Sequence, residues 1–393
     1  MEKLRIIVGG YIGLYPTGGA TWDYIQYPLG LKLLGHDVYY IEDTMQYPVY
    51  QPEGNEWNDA TACIAYLSNA MNNFGLEDKW AYRDIVTGKC YGLPLPEVLE
   101  ICRTADVFIN ISCSTFMREE YANIPKRVLI DSDPMFTQVT YFNELNGDTT
   151  TSVKKLLETH NYLFSFGENI GQKDCRIPTF DLKWISTRQP VCLTLWNKSL
   201  QITHPSFTSI LNWSGRKKMN YNKEEWGQKD VEFEKFLEVP QRLPDINFEV
   251  VINPPLHADS KFNAAKILNH NWQVLHPKDV VADYHDYAHF IERSFAEFSI
   301  AKETYVKSNS GWFSGRSACY LAAGKPVVAQ ETGWSKYIPC GKGLFAFNDI
   351  NSSVDAIKNV VSDAKKHSKA AVEIAKNFFD SSVVLTELIN KLN

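Results

Sequence analysis

The chain has 393 residues, a formal net charge of −6, and a composition that is 44% hydrophobic and 22% charged. This length exceeds what one compact core usually holds, so we expect two domains of roughly 200 residues each. No apolar run is long enough for a membrane span, and the eight scattered cysteines show no metal-ligand spacing. The negative charge provides no overall basic field of the kind that nonspecific nucleic-acid binders use, although it does not exclude a local basic cleft.

The first half of the chain predicts an α/β domain with a parallel sheet. An apolar run from Leu4 to Val8 is too short for a signal peptide and is followed by glycines, so we interpret it as a first strand and expect a cytoplasmic protein. A helix predicted around 22–34 and a strand over 38–41 complete a βαβ unit. Further strands are predicted over 105–112 and 127–131, and the extended segment from Arg188 places the end of this domain at residue 187.

The second half predicts another α/β domain, over residues 188–368. Strands are predicted over 207–213, from Phe248 up to a pair of prolines, and over 272–275. A helix is predicted over 280–297, and a short strand over 304–308. A segment with apolar residues at helical spacing, 370–392, predicts a terminal helix within residues 369–393.

The segment from Ser310 to Gly333 carries the strongest functional pattern. Glycine and serine dominate residues 310–315, so this backbone can curl closely around a ligand before a helix that is predicted to begin near Ser317. Free N–H groups at a helix start suit a diphosphate, and the guanidinium of Arg316 would contact phosphate oxygens at two points. The helix should end at Gly324, before a buried strand over 326–329.

Together with Glu297–Lys302 and Gly9-Gly10-Tyr11, this segment resembles the GT-B glycosyltransferases. The resemblance is to a bacterial branch with a Ser-Gly-Trp-Phe-Ser, Arg-Ser and Tyr-Leu-Ala-x-Gly-x-Pro-Val-Val signature. It implies two Rossmann-like domains facing a cleft, with a C-terminal helix that crosses back onto the first domain. It also implies transfer of a sugar from a nucleoside-diphosphate sugar, by default a UDP-sugar, to a hydroxyl acceptor without a catalytic metal.

One departure from the common retaining GT-B pattern is visible. That pattern has a glutamate at the start of the phosphate loop and a second glutamate on the following helix, and both help to hold the ribose. Aligned on Gly324, these positions are Gly311 and Cys319 here. Ribose recognition and stereochemical course therefore do not carry over from the resemblance.

The loop pattern and the resemblance together assign a set of residues to the donor. Lys229 belongs to it because the first strand-to-helix connection of a GT-B donor domain commonly supplies a cation to the diphosphate, and Lys302 because it precedes the predicted strand at 304–308. An ordinary solvated lysine is the alternative for both. Glu331, at the end of a strand, would accept hydrogen bonds from sugar hydroxyls. The full set is Gly10, Tyr11, Lys229, Lys302, Ser310, Gly311, Ser314, Gly315, Arg316, Ser317, Glu331, Thr332 and Gly333.

Asp23 and Asp133 are candidates for handling the acceptor proton, and Arg316 for stabilising the leaving diphosphate. Asp23 lies near the predicted start of a helix, where an acid that complements the helix dipole is equally common. Asp133 belongs to an Asp-Ser-Asp sequence that resembles a metal motif of the other major glycosyltransferase fold, and it alternatively caps a turn before proline. The basic run Arg216-Lys217-Lys218 is explained as well by a solvated turn as by a phosphate contact.

The acceptor and the class of function remain open at this point. The acceptor could be a small molecule, a glycan, or a hydroxymethylated base in DNA, and the last requires a basic groove and base flipping. A GT-B epimerase acting on the donor sugar and a non-catalytic binding protein are the alternatives to a transferase.

Overall fold

Two separate β-sheets, both with mostly parallel strands, organise the chain. The computed structural model describes residues 2–48, 58–196, 206–255 and 261–392. The strands of the first half are β1 (Arg5–Gly9), β2 (Asp37–Glu42), β3 (Trp80–Arg83), β4 (Cys90–Gly92), β5 (Val107–Ile111), β6 (Lys126–Asp131), β7 (Tyr162–Ser165) and β8 (Trp184–Ser186). They form one sheet in the order β4-β3-β2-β1-β5-β6-β7-β8, in which only β3 and β4 pair antiparallel.

Helices cover both faces of this N-terminal sheet. They are α1 (Gly18–Leu33), α2 (Thr61–Asn73), α3 (Leu95–Thr104), α4 (Glu119–Ala122), α5 (Phe136–Leu145) and α6 (Val153–Thr159), with a 3-10 turn at Leu193–Leu195. Every residue of β5 is buried, as expected for a strand with helices on both sides. Side chains of α1 and α2 share a core with Ile6 and Val8, whereas α3 and α4 pack with Ile7. The alternation of β1 residues between the two cores follows from the two-residue period of a strand.

The second half forms a six-stranded parallel sheet. Its strands and an attached hairpin are β9 (Ser206–Asn212), β10 (Met219–Tyr221), β11 (Glu224–Trp226), β12 (Asn247–Asn253), β13 (Gln273–Leu275), β14 (Ala296–Ser299), β15 (Val327–Gln330) and β16 (Leu344–Phe347). The sheet order is β13-β12-β9-β14-β15-β16, and β10 pairs with β11 as a separate hairpin. Aromatic side chains fill the core on one face, where β9, β12 and β14 contribute Phe207, Phe248 and Phe298, all almost fully buried.

Helices alternate with the strands of this half and continue after the last strand. They are α7 (Lys229–Glu234), α8 (Val239–Arg242), α9 (Ala264–Leu268), α10 (Pro277–Val280), α11 (Tyr284–Arg293), α12 (Glu303–Ser308), α13 (Gly315–Ala322), α14 (Ile350–Ser362), α15 (Ala364–Phe378) and α16 (Ser381–Asn390), with a 3-10 turn at Trp334–Lys336. In the described residues no helix is both long and apolar enough to cross a membrane.

The direction of strand order reverses once in each sheet. In the N-terminal sheet the reversal lies between β1 and β5, and in the C-terminal sheet between β9 and β14. Open α/β sheets bind ligands outside the carboxyl ends of the strands at such a reversal. The topology therefore points to the loops after β1, β5, β9 and β14 as the candidate site.

Two predicted elements before the glycine-rich loop are wrong. The segment 280–297, predicted as one helix, contains the last residue of α10, the ten-residue helix α11 and the start of β14. The segment 304–308 is not a strand but belongs to α12, whose buried residues Thr304, Tyr305 and Ser308 follow helical spacing. The strand before the glycine loop is β14. It was not predicted because its second residue, Glu297, is a fully buried carboxylate, and a charged residue is not expected in a buried strand.

The predicted terminal helix over 370–392 is two helices. Asp380 separates α15 from α16 because its side chain accepts a hydrogen bond from Ser382 N, an N-cap that begins a new helix. The last helix packs against α1, and Tyr162 Oη donates to the carbonyl of Leu392 at 2.9 Å. The chain end thus lies against the N-terminal sheet.

Candidate functional site

Loops at the carboxyl ends of the two sheets meet along a cleft, and hydrogen bonds join them directly. Trp312 Nε1 donates to the carbonyl of Ser132 at 3.1 Å, and Asn169 N donates to the carbonyl of Ser310 at 3.0 Å. These contacts join the glycine-rich loop of the second half to loops of the first half. The segment identified from its glycines and serines therefore lies at the junction of the two halves.

The glycine-rich loop is held in one conformation by the segment that follows β15. Gly311 N donates to the carbonyl of Thr332 at 2.6 Å, and Thr332 Oγ1 donates to the carbonyl of Trp312 at 2.6 Å. Gly311 has a φ of +75°, and a Cβ at this position would lie 2.6 Å from Asn169 N. Only glycine fits both the dihedral and the close approach. Ser310 is fully buried, and its hydroxyl donates to the carbonyl of Tyr305 at 3.2 Å.

Helix α13 presents an uncapped N-terminus to the cleft. The N-cap residue, Ser314, makes no side-chain hydrogen bond to the helix, so the first-turn N–H groups are not capped by it. A Cβ on Gly315 would lie 3.2 Å from Asp23 Oδ1, which places a carboxylate of the first half beside this helix start. Ser317 is the third residue of α13, and its hydroxyl lies 3.3 Å from Ser299 Oγ. The helix begins two residues earlier than the sequence indicated.

Arg316 ties α13 to the sheet beneath it. Its Nε donates to Glu297 at 2.5 Å, Nη1 to the carbonyl of Ile210 at 2.6 Å, and Nη2 to Ser299 Oγ at 2.8 Å. Three of the five guanidinium N–H bonds are thus directed at protein groups. Direct contact with a diphosphate stays a prediction, and only the two remaining N–H bonds are available for it. In the structure, the main role of Arg316 is to neutralise the buried Glu297.

Four cations converge at the reversal point of the C-terminal sheet, and we call Arg216, Lys229, Lys302 and Arg316 the basic cluster. Arg216 follows β9, Lys302 follows β14, and Lys229 is the first residue of α7. Lys229 is 7% exposed and has neither a hydrogen bond nor an ion pair within the described chain. Burial, together with repulsion from Arg316 and Lys302, holds the pKa of Lys229 well below its usual range. An anion bound beside Lys229 would offset this burial and repulsion and so favour its protonated, charged form.

Arg216 was not among the predicted site residues, because its basic run is explained by a solvated turn as well as by a phosphate contact. The structure places its Nε 3.2 Å from Asp133 Oδ2, whereas the neighbouring Lys217 is exposed and makes no hydrogen bond or ion pair to a described residue. Its position could have indicated a role in the site, because Arg216 follows β9 within four residues and β9 borders the reversal of strand order. Recognising it required the strand order, which the sequence did not reveal.

Asp133 lies in the first half but is surrounded by cations of the second. Its Oδ1 accepts hydrogen bonds from Lys302 Nζ at 2.6 Å and from Tyr305 Oη. Burial raises the pKa of Asp133, but Lys302 and Arg216 more than offset that effect, and the pKa is lowered. A carboxylate that stays ionised so readily is a weak base, which argues against the expected proton-handling role.

Asp23 has the opposite environment. It is the sixth residue of α1, too far from the helix start for the dipole role that was the alternative interpretation. Its side chain is accessible to solvent, but residues of both halves of the protein, including the start of α13, surround it. This enclosure raises the pKa of Asp23 to about 7, although the charge of Arg316 acts to lower it. A carboxyl with a pKa near neutrality, beside the start of α13, is suited to general base catalysis.

Glu331 supports its own loop with one carboxylate oxygen. Its Oε1 accepts hydrogen bonds from Thr332 N at 3.0 Å and Gly333 N at 2.6 Å. Gly333 has a φ of +98° and lies against Asn309. The other oxygen, Oε2, makes no hydrogen bond to any described residue, so it can still accept one, and the predicted contact with a sugar hydroxyl stays a prediction.

Gly10 and Tyr11 form the facing wall of the cleft, in the loop after β1. Gly10 packs against Tyr24 and Tyr40, and Tyr11 Oη receives a hydrogen bond from Gln46 Nε2 at 3.3 Å. The buried Glu42 fixes the rest of this loop, because it accepts hydrogen bonds from Gly13 N at 2.9 Å and from Leu14 N at 2.6 Å.

The Asp131-Ser132-Asp133 sequence does not bring its two carboxylates together. Asp131 is buried and bonds to Thr137 Oγ1 at 2.6 Å, Gln138 Nε2 at 2.9 Å and Ser165 Oγ at 3.0 Å. Among the described residues no three histidine, cysteine, aspartate or glutamate side chains are arranged to hold a metal ion.

The comparisons with known proteins identify the fold. No family model matches the sequence, and no curated protein sequence is similar to it. Similar solved structures include an α-glucosyltransferase with UDP and a 13-mer DNA containing an HMU base (12% identity, 100% of each chain, TM-score 0.54). They also include HepE of Anabaena with UDP and glucose (10% identity, 99% of each chain, TM-score 0.56). A third is the pneumococcal O-GlcNAc transferase GtfA with UDP and GlcNAc (9% identity, 100% of this chain and 99% of the other, TM-score 0.54). At these identities the likeness shows the architecture, and the chain has the GT-B fold of two Rossmann-like domains.

Proposed function

We propose that the protein is a glycosyltransferase that moves a sugar from a nucleoside-diphosphate sugar, most simply a UDP-sugar, to a hydroxyl acceptor. The observation that carries this proposal is the basic cluster beside the uncapped start of α13, opposite a carboxyl group with a pKa of about 7. The three solved structures named above share the fold and contain UDP, and two of them also contain a sugar.

The proposal divides the chain into working parts. Residues 1–187 form the acceptor side, and residues 188–368 the donor side. The terminal segment 369–393 packs back on the first domain. The N-terminal sheet ends at β8 and the C-terminal sheet begins at β9, which supports a division near residue 190.

The residues have distinct roles in the proposed reaction. The acceptor oxygen forms a bond to the anomeric carbon of the donor sugar while the bond from that carbon to the diphosphate oxygen breaks. Asp23 takes the acceptor proton, in an inverting course, and the diphosphate leaves with the electron pair. Arg216, Lys229 and the N–H groups of α13 stabilise the negative charge that develops on it, which is electrostatic catalysis aimed at the transition state. Glu331 orients the sugar.

A panel of nucleotides and nucleotide sugars tests this proposal by thermal shift. A ligand present at a hundred times its dissociation constant should stabilise the protein by about 2.7 kcal/mol. We expect nucleoside diphosphates and their sugars to raise the melting temperature, and the bare nucleosides to leave it nearly unchanged. Equal shifts with nucleosides and nucleoside diphosphates would contradict a site built around the diphosphate.

A second candidate concerns the acceptor. The α-glucosyltransferase structure with HMU-containing DNA favours a hydroxymethylated base in DNA as one possible acceptor of this fold. Because we assign the basic cluster to the donor, a DNA acceptor would need other cations for its phosphates. Transfer assays with hydroxymethylated duplex DNA and with a panel of free saccharides distinguish the two.

A further inference from the structure

Asp133 belongs to the acceptor-side domain, but its carboxylate sits within the cations of the donor-side domain. Oδ1 bonds to Lys302 Nζ at 2.6 Å and to Tyr305 Oη, and Oδ2 lies 3.2 Å from Arg216 Nε. The Asp133 side chain is about one-fifth exposed. All three partners lie in the second half of the chain, more than 80 residues away in sequence.

A carboxylate in this position resembles an anionic ligand in both charge and contacts. Two acceptor oxygens of one small group engage an ammonium, a phenol and a guanidinium, which are the donors that a phosphate oxygen would also use. The negative charge of Asp133 partly neutralises a cluster that otherwise contains closely spaced cations. Lys229 experiences this repulsion, because it makes no hydrogen bond or ion pair to a described residue and its pKa is lowered by burial and by the charges of Arg316 and Lys302.

We propose that Asp133 is an internal anion that occupies the basic cluster in the free protein and competes with the diphosphate of the donor. This inference rests on the proposed function, since it takes the diphosphate to bind at the same cations. Binding of the donor replaces the contacts of Asp133 with Arg216 and Lys302 by contacts to phosphate oxygens. The side chain of Arg216 is 57% exposed, so it is free to turn from one anion to the other.

The competition has two consequences. The free protein is stabilised by a bridge between its two domains, and the apparent affinity for the donor is reduced by the free energy needed to break that bridge. Asp133 also replaces counterions that the cluster would otherwise collect. Donor binding to the natural protein should therefore release few salt ions and depend only weakly on ionic strength.

The substitution Asp133→Asn tests the proposal, because it keeps the shape of the side chain and removes its charge. We expect UDP and inorganic pyrophosphate to bind the variant about tenfold more tightly in calorimetry, which corresponds to about 1.4 kcal/mol. The salt dependence of binding should become steeper. The ligand-free variant should melt at a lower temperature than the natural protein, and UDP should restore more of its stability.

Asp174→Asn provides a matched control. Asp174 also bridges the two domains, since it pairs with Lys336 and accepts a hydrogen bond from Asn309 Nδ2 at 2.8 Å, but it does not touch the basic cluster. This variant weakens an ordinary interdomain contact. It should leave both the affinity for UDP and its salt dependence unchanged.

The outcomes separate this proposal from the proposed function. Unchanged or weaker binding of UDP to the Asp133→Asn variant, in a protein that transfers sugar, would show that Asp133 is not a competitor while the function stands. Tighter binding of pyrophosphate without turnover of any nucleotide sugar would support the competitor and count against the transferase. Binding of neither anion to either protein would overturn both.

Discussion

Two aspartates face the same cleft with opposite acid–base properties, and their surroundings explain the difference. Asp23 is enclosed near a single arginine, which makes no hydrogen bond to it, and its pKa rises to about 7. Asp133 contacts Lys302 and Arg216 directly, and its pKa is lowered. The sequence offered both as proton acceptors. It could not separate them, because the cations that distinguish them come from distant parts of the chain.

Substitution of Asp23 by asparagine should remove the base and leave the donor site intact. We expect turnover to fall by about 10²- to 10⁴-fold, the usual contribution of a general base, with little change in UDP affinity. In the natural protein turnover should rise with pH through about 7, because the carboxyl group must lose its proton before it can accept one. The variant should lack this rise. A variant that retains the same pH-dependent turnover would exclude Asp23 as the base.

At the scale of elements, the sequence predicted the apolar strands and the glycine-rich loop well and the junctions between them poorly. Strands such as β1 and β6 have continuous apolar centres, so their positions follow from the hydrophobic pattern. The segment around Glu297 was misjudged because a charged residue stands inside a buried strand, where Arg316 neutralises it at 2.5 Å. That ion pair joins residues on different elements, so no local sequence pattern predicts it.

The glycine-rich loop gives a prediction at this scale. We expect Gly311→Ala to destabilise the protein by more than the ~1–2 kcal/mol of a left-handed alanine, because the added methyl group also meets Asn169 N at 2.6 Å. Gly147→Ala is the matched control, since Gly147 also has a positive φ but no atom near the added Cβ. The difference in the free energy of thermal unfolding between the two variants measures the cost of the contact with Asn169. An equal loss of stability in both would show that the loop does not need its close approach to the first domain.

At the scale of the whole molecule, the resemblance implied two Rossmann-like domains, and the likeness to solved structures confirms the fold. The order of strands was beyond the sequence, because it depends on pairing between segments far apart in the chain. That order places Arg216 and Lys302 together at the reversal between β9 and β14. The glycine loop, the helix start and the cations Lys229, Lys302 and Arg316 were therefore predicted from the sequence, whereas Arg216 and the convergence of all four cations were not.

Calorimetric titration with UDP of the natural protein, Arg216→Ala and Lys217→Ala tests the central claim most directly. Lys217 is the adjacent exposed cation and controls for net charge. The account predicts that Arg216→Ala weakens UDP binding by about 1.5–3 kcal/mol, the range for a hydrogen bond to a charged group, while Lys217→Ala changes it little. Equal UDP affinity in all three proteins, or an affinity no higher than that for uridine, would contradict the assignment of this cleft to a nucleoside diphosphate.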